Sequence, residues 1–99
     1  MSKILLEKYK DINNKNLLEL LEKVNREPIF LEDNQRLLSE DEILNYNAEL
    51  EIVIKNIIPL IDFYDNNFLV YDELEKKFKM FNIVDELFYE NLKITNKYN

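Results

Sequence analysis

Cysteine, histidine, glycine and tryptophan are all absent from this chain of 99 residues, and proline occurs only twice. Each absence removes chemistry. Without cysteine there is no disulfide, no thiol nucleophile and no thiolate metal ligand. Without histidine, the usual general base near neutral pH and the commonest zinc ligand are missing. Without glycine there is no P-loop, no dinucleotide-binding turn and no nucleophile elbow. Backbone positions with φ > 0 then fall to Asn and Asp, the next most tolerant residues. Fourteen Asn are present to fill them, although heavy Asn, Lys and Ile usage is also what an AT-rich genome produces. No run approaches the roughly 18 apolar residues of a membrane helix. Residues 1–7 are too short and too charged for a secretory core, so a cytoplasmic protein is expected.

What is present is negative charge, unevenly spread. Residues 27–75 hold thirteen of the twenty carboxylates and two of the thirteen basic groups, a net of −11. Residues 1–26 have six bases against four acids, and residues 76–99 five against three, +2 each, which restores the −7 of the chain. A one-signed field repels like-charged ligands and steers opposite ones. Direct nucleic-acid binding is therefore not expected, and a protein partner with a basic face is.

The length suits one α+β domain over residues 1–99, and no internal repeat or linker is evident. Ile4, Leu5, Leu6, Tyr9 and Ile12 have helical spacing, and Asn16 can cap a second helix carrying Leu17, Leu20, Leu21 and Val24. Ile29, Phe30 and Leu31 are too few to type as strand or loop. Ser39-Glu40-Asp41-Glu42 is a capping box, so a helix is predicted from Ser39 to about Asn56. Then the period changes. Strands are predicted over 57–63, 68–71 and 76–81, with Pro59 favouring a sheet edge or strand start. They form a three-stranded antiparallel meander with one face against the helices. A C-terminal helix from Ile83 to about Tyr98 closes the domain.

The segment Asn56-Ile57-Ile58-Pro59-Leu60-Ile61-Asp62-Phe63-Tyr64-Asp65-Asn66-Asn67-Phe68-Leu69-Val70-Tyr71-Asp72 resembles the central hairpin of the SUKH superfamily of immunity and regulatory proteins. There a strand with an Ile-Pro-Leu core meets an acidic turn and a second strand ending near Asp. The resemblance extends to about residue 92. It implies toxin neutralisation or a regulatory protein contact, without enzyme activity.

Among individual residues, Asp62, Asp65, Asn66 and Asn67 do not make a calcium loop. Counted from Asp62, the third position is Tyr64 and the sixth is Asn67, where an oxygen ligand and a Gly are needed. Asp62, Asp65, Asp72, Glu73 and Glu75 fall at the ends of adjacent strands, with Asp62 and Asp72 facing each other across the hairpin in one register. A carboxylate pair can do acid–base work when burial raises one pKa, but no nucleophile accompanies this one, and catalysis is not expected. Tyr64 and Tyr71 alternate away from the core and suit anchors beside those acids. The expected partner-binding set is thus Asp62, Tyr64, Asp65, Tyr71, Asp72, Glu73 and Glu75. Glu40 and Asp41 form a secondary acidic patch. Lys76, Lys77 and Lys79 read as the solvent face of a strand that deters sheet pairing. No cofactor and no metal are expected.

The function these residues suggest is a small acidic binding protein that neutralises or regulates a basic protein, most simply a nuclease-type toxin, as an immunity protein does. The alternative is an anti-CRISPR-like inhibitor from a phage or mobile element, a nucleic-acid mimic that covers a host defence nuclease. A structural homodimer, pairing through the Pro59 strand or the Lys-rich strand, is the third class.

Overall fold

The second half of the chain is built on a ten-residue rhythm. Strands β3 (Ile57–Asp62), β4 (Asn67–Asp72), β5 (Lys77–Asn82) and β6 (Leu87–Tyr89) start ten residues apart. Three of them end in an Asx residue whose side-chain oxygen accepts from the turn that follows. Asp62 takes the Tyr64 N–H, Asp72 those of Leu74 and Glu75, and Asn82 those of Val84 and Asp85. The Asx side chain thereby starts each turn. An internal repeat is therefore present after all, as strand plus Asx turn. Phe68, Phe78 and Phe88 hold the same place in successive copies.

The computed structural model describes residues 2–99. Two short strands precede the rhythm, β1 (Ile29–Phe30) and β2 (Arg36–Leu37). All six strands form one antiparallel sheet in the order β1-β2-β3-β4-β5-β6. The α+β class stands, but the expected three-stranded meander is a six-stranded one. Two of the added strands are two-residue pieces too short to carry a period. The third, β6, occupies part of the stretch read as the C-terminal helix. Asn82 and the positive φ of Glu86 turn the chain there, and Phe88 pairs with Phe81. Only Leu92–Tyr98 is helical (α5), capped by Asn91.

Two helices come first, α1 (Lys3–Lys8) and α2 (Lys15–Lys23). Asn14 rather than Asn16 caps α2, and Asn16 instead donates to the Tyr98 carbonyl. Ser39 does head a full capping box with Glu42, but the helix it starts is brief. α3 (Glu40–Leu44) and α4 (Tyr46–Glu49) are separated at Asn45, and residues 51–56 form no regular element. Glu51 sits at φ 57°, and the β-branched run Ile52-Val53-Ile54 disfavours helix. The Asn47 amide and the Tyr46 hydroxyl hold that run by donating to the Ile52 and Ile54 carbonyls.

Every residue from Ile57 to Ile61 and from Phe68 to Asp72 is buried, because both faces of the sheet are covered. By alternation, Ile58, Tyr71 and Phe78 share one face, where the α5 residue Tyr98 packs on Phe78 with ring centroids 5.5 Å apart. Arg36, Asp62, Phe68 and Phe81 share the other, which α3 reaches through Glu42. Pro59 lies on an interior strand, not an edge. β2 runs only opposite Ile61 and Asp62, and the register with β4 slips between Pro59 and Ile61. The slip is a bulge that accommodates the missing N–H. Left-handed positions without glycine go to Asp33, Asn34, Asn56, Asp65 and Asn66, as expected, but also to Glu51, Tyr64, Lys76 and Glu86.

Candidate functional site

Meander topology sorts the connections by end. The β1–β2, β3–β4 and β5–β6 loops emerge at one end of the sheet, and the β4–β5 loop and the long β2–β3 connection at the other. Asp72 pairs with Ile57, at the far end of β3 from Asp62. Five strand positions separate them, on the order of 15 Å. Asp62 and Asp72 therefore do not face each other, and the expected partner-binding set is split. Asp62, Tyr64 and Asp65 lie at one end, and Asp72, Glu73 and Glu75 at the other.

Burial and pairing divide the set further. Arg36 binds Glu42 at 2.7 Å and Asp62 at 3.1 Å, with all three side chains less than a fifth exposed. Burial opposes charge on Arg36, yet hydrogen bonds and charge from Glu42 and Asp62 outweigh it and raise its pKa. Burial likewise favours neutral Glu42, but the bonds from Arg36 and Ser39 win and hold its carboxyl below the usual range. Lys79 bridges Asp72, at 2.9 Å, and Glu75. Lys79 is thus no solvent-face lysine but the mostly buried partner of two acids. Tyr71 is 3% exposed, so it is no surface anchor. Its ring meets Phe78 edge-on at 5.2 Å beneath the helices. Glu73 lies within electrostatic reach of Tyr9, Tyr46 and Tyr71. Burial, with Glu73 and Tyr46 adding, pushes the Tyr9 hydroxyl up to about 12. Tyr71 and Glu73 also line a cavity of about 460 Å³ with Asp11, Asn14 and Lys76. In the secondary patch, Glu40 accepts from the buried Ser2 hydroxyl and ties α1 to α3, while Asp41 stays exposed.

Asp65 and Tyr64 remain as exposed members of the expected set without an ion pair, and the fold gives them neighbours that sequence order concealed. The three loops at their end are residues 31–35, 63–66 and 83–86. Together they contain Glu32, Asp33, Asp65, Asp85 and Glu86, and no basic residue. All five carboxylates are exposed, and among the described residues none of the five forms an ion pair. Adjacent loops are two strand spacings apart, roughly 10 Å, about one Debye length, so their fields add. A backbone bond from the Ile83 N–H to the Asn66 carbonyl fastens two of the loops together at 3.0 Å. Tyr64 and Val84 stand exposed among the acids. Glu32 and Asp33 also border a cavity of about 420 Å³ between α2, α5 and the β1–β2 hairpin, lined in part by Lys23 and Lys97.

Asp85 and Glu86 were missed because they belong to a stretch whose sequence charge is positive. Glu32 and Asp33 were missed because Leu31 to Gln35 had no assigned element. The ten-residue spacing of Asp62, Asp72 and Asn82 was the available signal, since alternate turns of a meander share an end. Among the described residues, no group of three or more acidic side chains is placed to hold a metal ion, and no helix is long and apolar enough to cross a membrane.

Comparison with protein-family models, with curated proteins and with solved structures found no significant match.

Proposed function

We propose that this chain is a non-catalytic binding protein that engages a basic surface of a protein partner through the acidic end of its sheet. The observation that carries the proposal is the convergence of Glu32, Asp33, Asp65, Asp85 and Glu86, all exposed and, among the described residues, without ion pairs, around Tyr64 and Val84. The turns that carry these carboxylates are hydrogen-bonded, and two of the three loops are joined by the Ile83–Asn66 bond, which limits the loop ordering needed on binding. Tyr64 supplies an aromatic anchor at the centre, where interface energy concentrates. A partner that already attracts phosphates, such as a nuclease, presents the matching field. Neutralising a nuclease-type toxin in the cytoplasm, as an immunity protein, is the simplest role for such a surface. The SUKH-type assignment belongs to this proposal and rests on the resemblance over residues 56–92.

The test compares three proteins in salt-dependent co-purification from the source cells. They are the wild type, an Asp33→Lys/Asp65→Lys/Glu86→Lys variant, and a Glu73→Lys/Glu75→Lys variant at the opposite end. The proposal expects a basic protein held by the wild type and by the second variant, released by raised salt, and lost from the first. A partner retained by the first variant and lost from the second would refute it.

A further inference from the structure

β6 is an open edge of the sheet. β5 pairs one side of it, and among the described residues no strand pairs the other. Leu87, Phe88 and Tyr89 are 62%, 39% and 38% exposed, and Val84 and Leu92 beside them are more exposed still. Edge strands are ordinarily blunted by shortness or by lysine, proline or a charge within the strand, and β6, though only three residues long, has no lysine, proline or charge in Leu-Phe-Tyr. Its side chains are nonetheless set in place. The Phe88 ring lies 5.2 Å from that of Phe81 with the Lys79 ammonium 5.0 Å from its centroid, and the Tyr89 hydroxyl donates to Asn67 at 2.8 Å. The edge is therefore a pre-organised template of main-chain groups flanked by apolar side chains.

Charge decides between the occupants such an edge can take. Asp85 and Glu86, which form no ion pair among the described residues, precede the strand, and Glu90, which binds Lys77 at 3.3 Å in a half-exposed ion pair, follows it. A second copy pairing antiparallel about Phe88 would set Leu87 opposite Tyr89 and, twice over, Glu86 opposite Glu90. Like charges directly across a strand pair destabilise it. Lysine or arginine on an incoming strand would instead give Glu86 the cation it lacks and add to Lys77 at Glu90, whose half-exposed bridge is a weak one. We infer that β6 accepts an extended basic segment of the partner as a seventh strand, with apolar residues against Leu87, Phe88 and Tyr89 and cations toward Glu86 and Glu90. Main-chain bonds would supply affinity, and the alternating side chains specificity. This rests on the reading above that the partner is basic, and continues the same surface, since Glu86 ends the third acidic loop.

The experiment uses a fluorescent peptide of alternating lysine and valine as probe. Anisotropy reports binding, and amide chemical shifts of the labelled full chain report location. Expected results are shifts centred on residues 84–92 and a loss of about tenfold when alternate peptide nitrogens are methylated, the scale of a main-chain hydrogen bond or two. A Glu86→Lys/Glu90→Lys variant, checked for an unchanged melting temperature, is expected to prefer the glutamate–valine peptide. Shifts confined to loops 31–35 and 63–66, indifferent to methylation, would overturn strand addition and leave the basic-partner reading standing. Equal binding of the glutamate peptide by the wild type would overturn both. A dimer in sedimentation that Leu87→Lys dissolves would overturn the inference by naming a second copy as the occupant, and absence of peptide binding would overturn it directly.

Discussion

The two ends of the sheet use their carboxylates in opposite ways. At the end that carries the β4–β5 loop, Asp72, Glu73 and Glu75 lie in a segment that also holds Lys76 and Lys79, while the neighbouring Lys77 turns to Glu90. Asp72 and Glu75 share Lys79, and Glu73 sits toward a group of tyrosines. At the other end, Glu32, Asp33, Asp65, Asp85 and Glu86 crown three hairpins with no cation among them. Asp62 lies just inside that end and is already taken by Arg36. Acids that are buried and answered hold the fold together. Acids that are exposed and unanswered leave their field for something outside the molecule. The contrast teaches that a count of carboxylates says little until each has been asked where its counter-charge is.

Substitutions can break this contrast where it is structural. The largest effect is expected from Arg36→Met, which strands Glu42 and Asp62 in a site less than a fifth exposed. Removing one member of a partly buried ionic group typically costs about 3–5 kcal/mol, read as a shift in the urea midpoint. A loss under about 1 kcal/mol, the range of a surface pair, would show that Asp62 is as free as the loop acids. Lys79→Met comes next, at about 2–3 kcal/mol, since Asp72 keeps its turn bonds while losing its cation.

A pH titration separates the same two populations more gently. Tyr9 has its pKa raised by folding from 10.0 to about 12, so the unfolded chain ionises first. Its contribution to stability is full below pH 10 and is lost as the pH rises toward about 12. Glu42 has the opposite sign. Its depressed pKa gives stability that is full above the ordinary carboxylate range and lost as the pH falls through the folded value. Melting temperature against pH should therefore fall at both extremes, and Glu42→Gln should flatten the acid limb. The smallest effect sharpens the comparison from the other side. Asp65→Asn should change stability by no more than about 0.5 kcal/mol in either direction, because Asn tolerates the same φ of 51° and no cation among the described residues pairs with the carboxylate it removes. A destabilisation comparable to that of Lys79→Met would place Asp65 among the structural acids.

Much of the local structure was legible. The Ser39–Glu42 capping box, the apolar runs of β3 and β4, and the alternation of Phe78 and Met80 against Lys77 all read directly from residue type and period. The failures have physical causes. β1 and β2 hold two residues each, below the length at which alternation exists. β6 lies in a stretch whose Val84, Leu87, Phe88 and Leu92 mimic a helical stripe, and only its pairing with β5 makes it a strand. Strand alternation alone points Tyr71 to solvent, as it would if one sheet face were open, whereas β4 is buried on both faces and Tyr71 is 3% exposed. The Pro59 and Lys-rich strands looked like edges because proline and lysine favour edges, yet β3 and β5 are interior and the free edges belong to β1 and β6.

The sequence by itself determined the excluded chemistries, the Ser39 capping box and the excess of negative charge, because these depend on residue identity and on neighbours a few positions away. Only the tertiary structure decided which carboxylates are answered and which converge. The partners Arg36 and Asp62 are 26 residues apart, and the acidic end joins loops drawn from residues 31 to 86. Strand order and register set those distances, and register is a property of the whole sheet that no single segment carries.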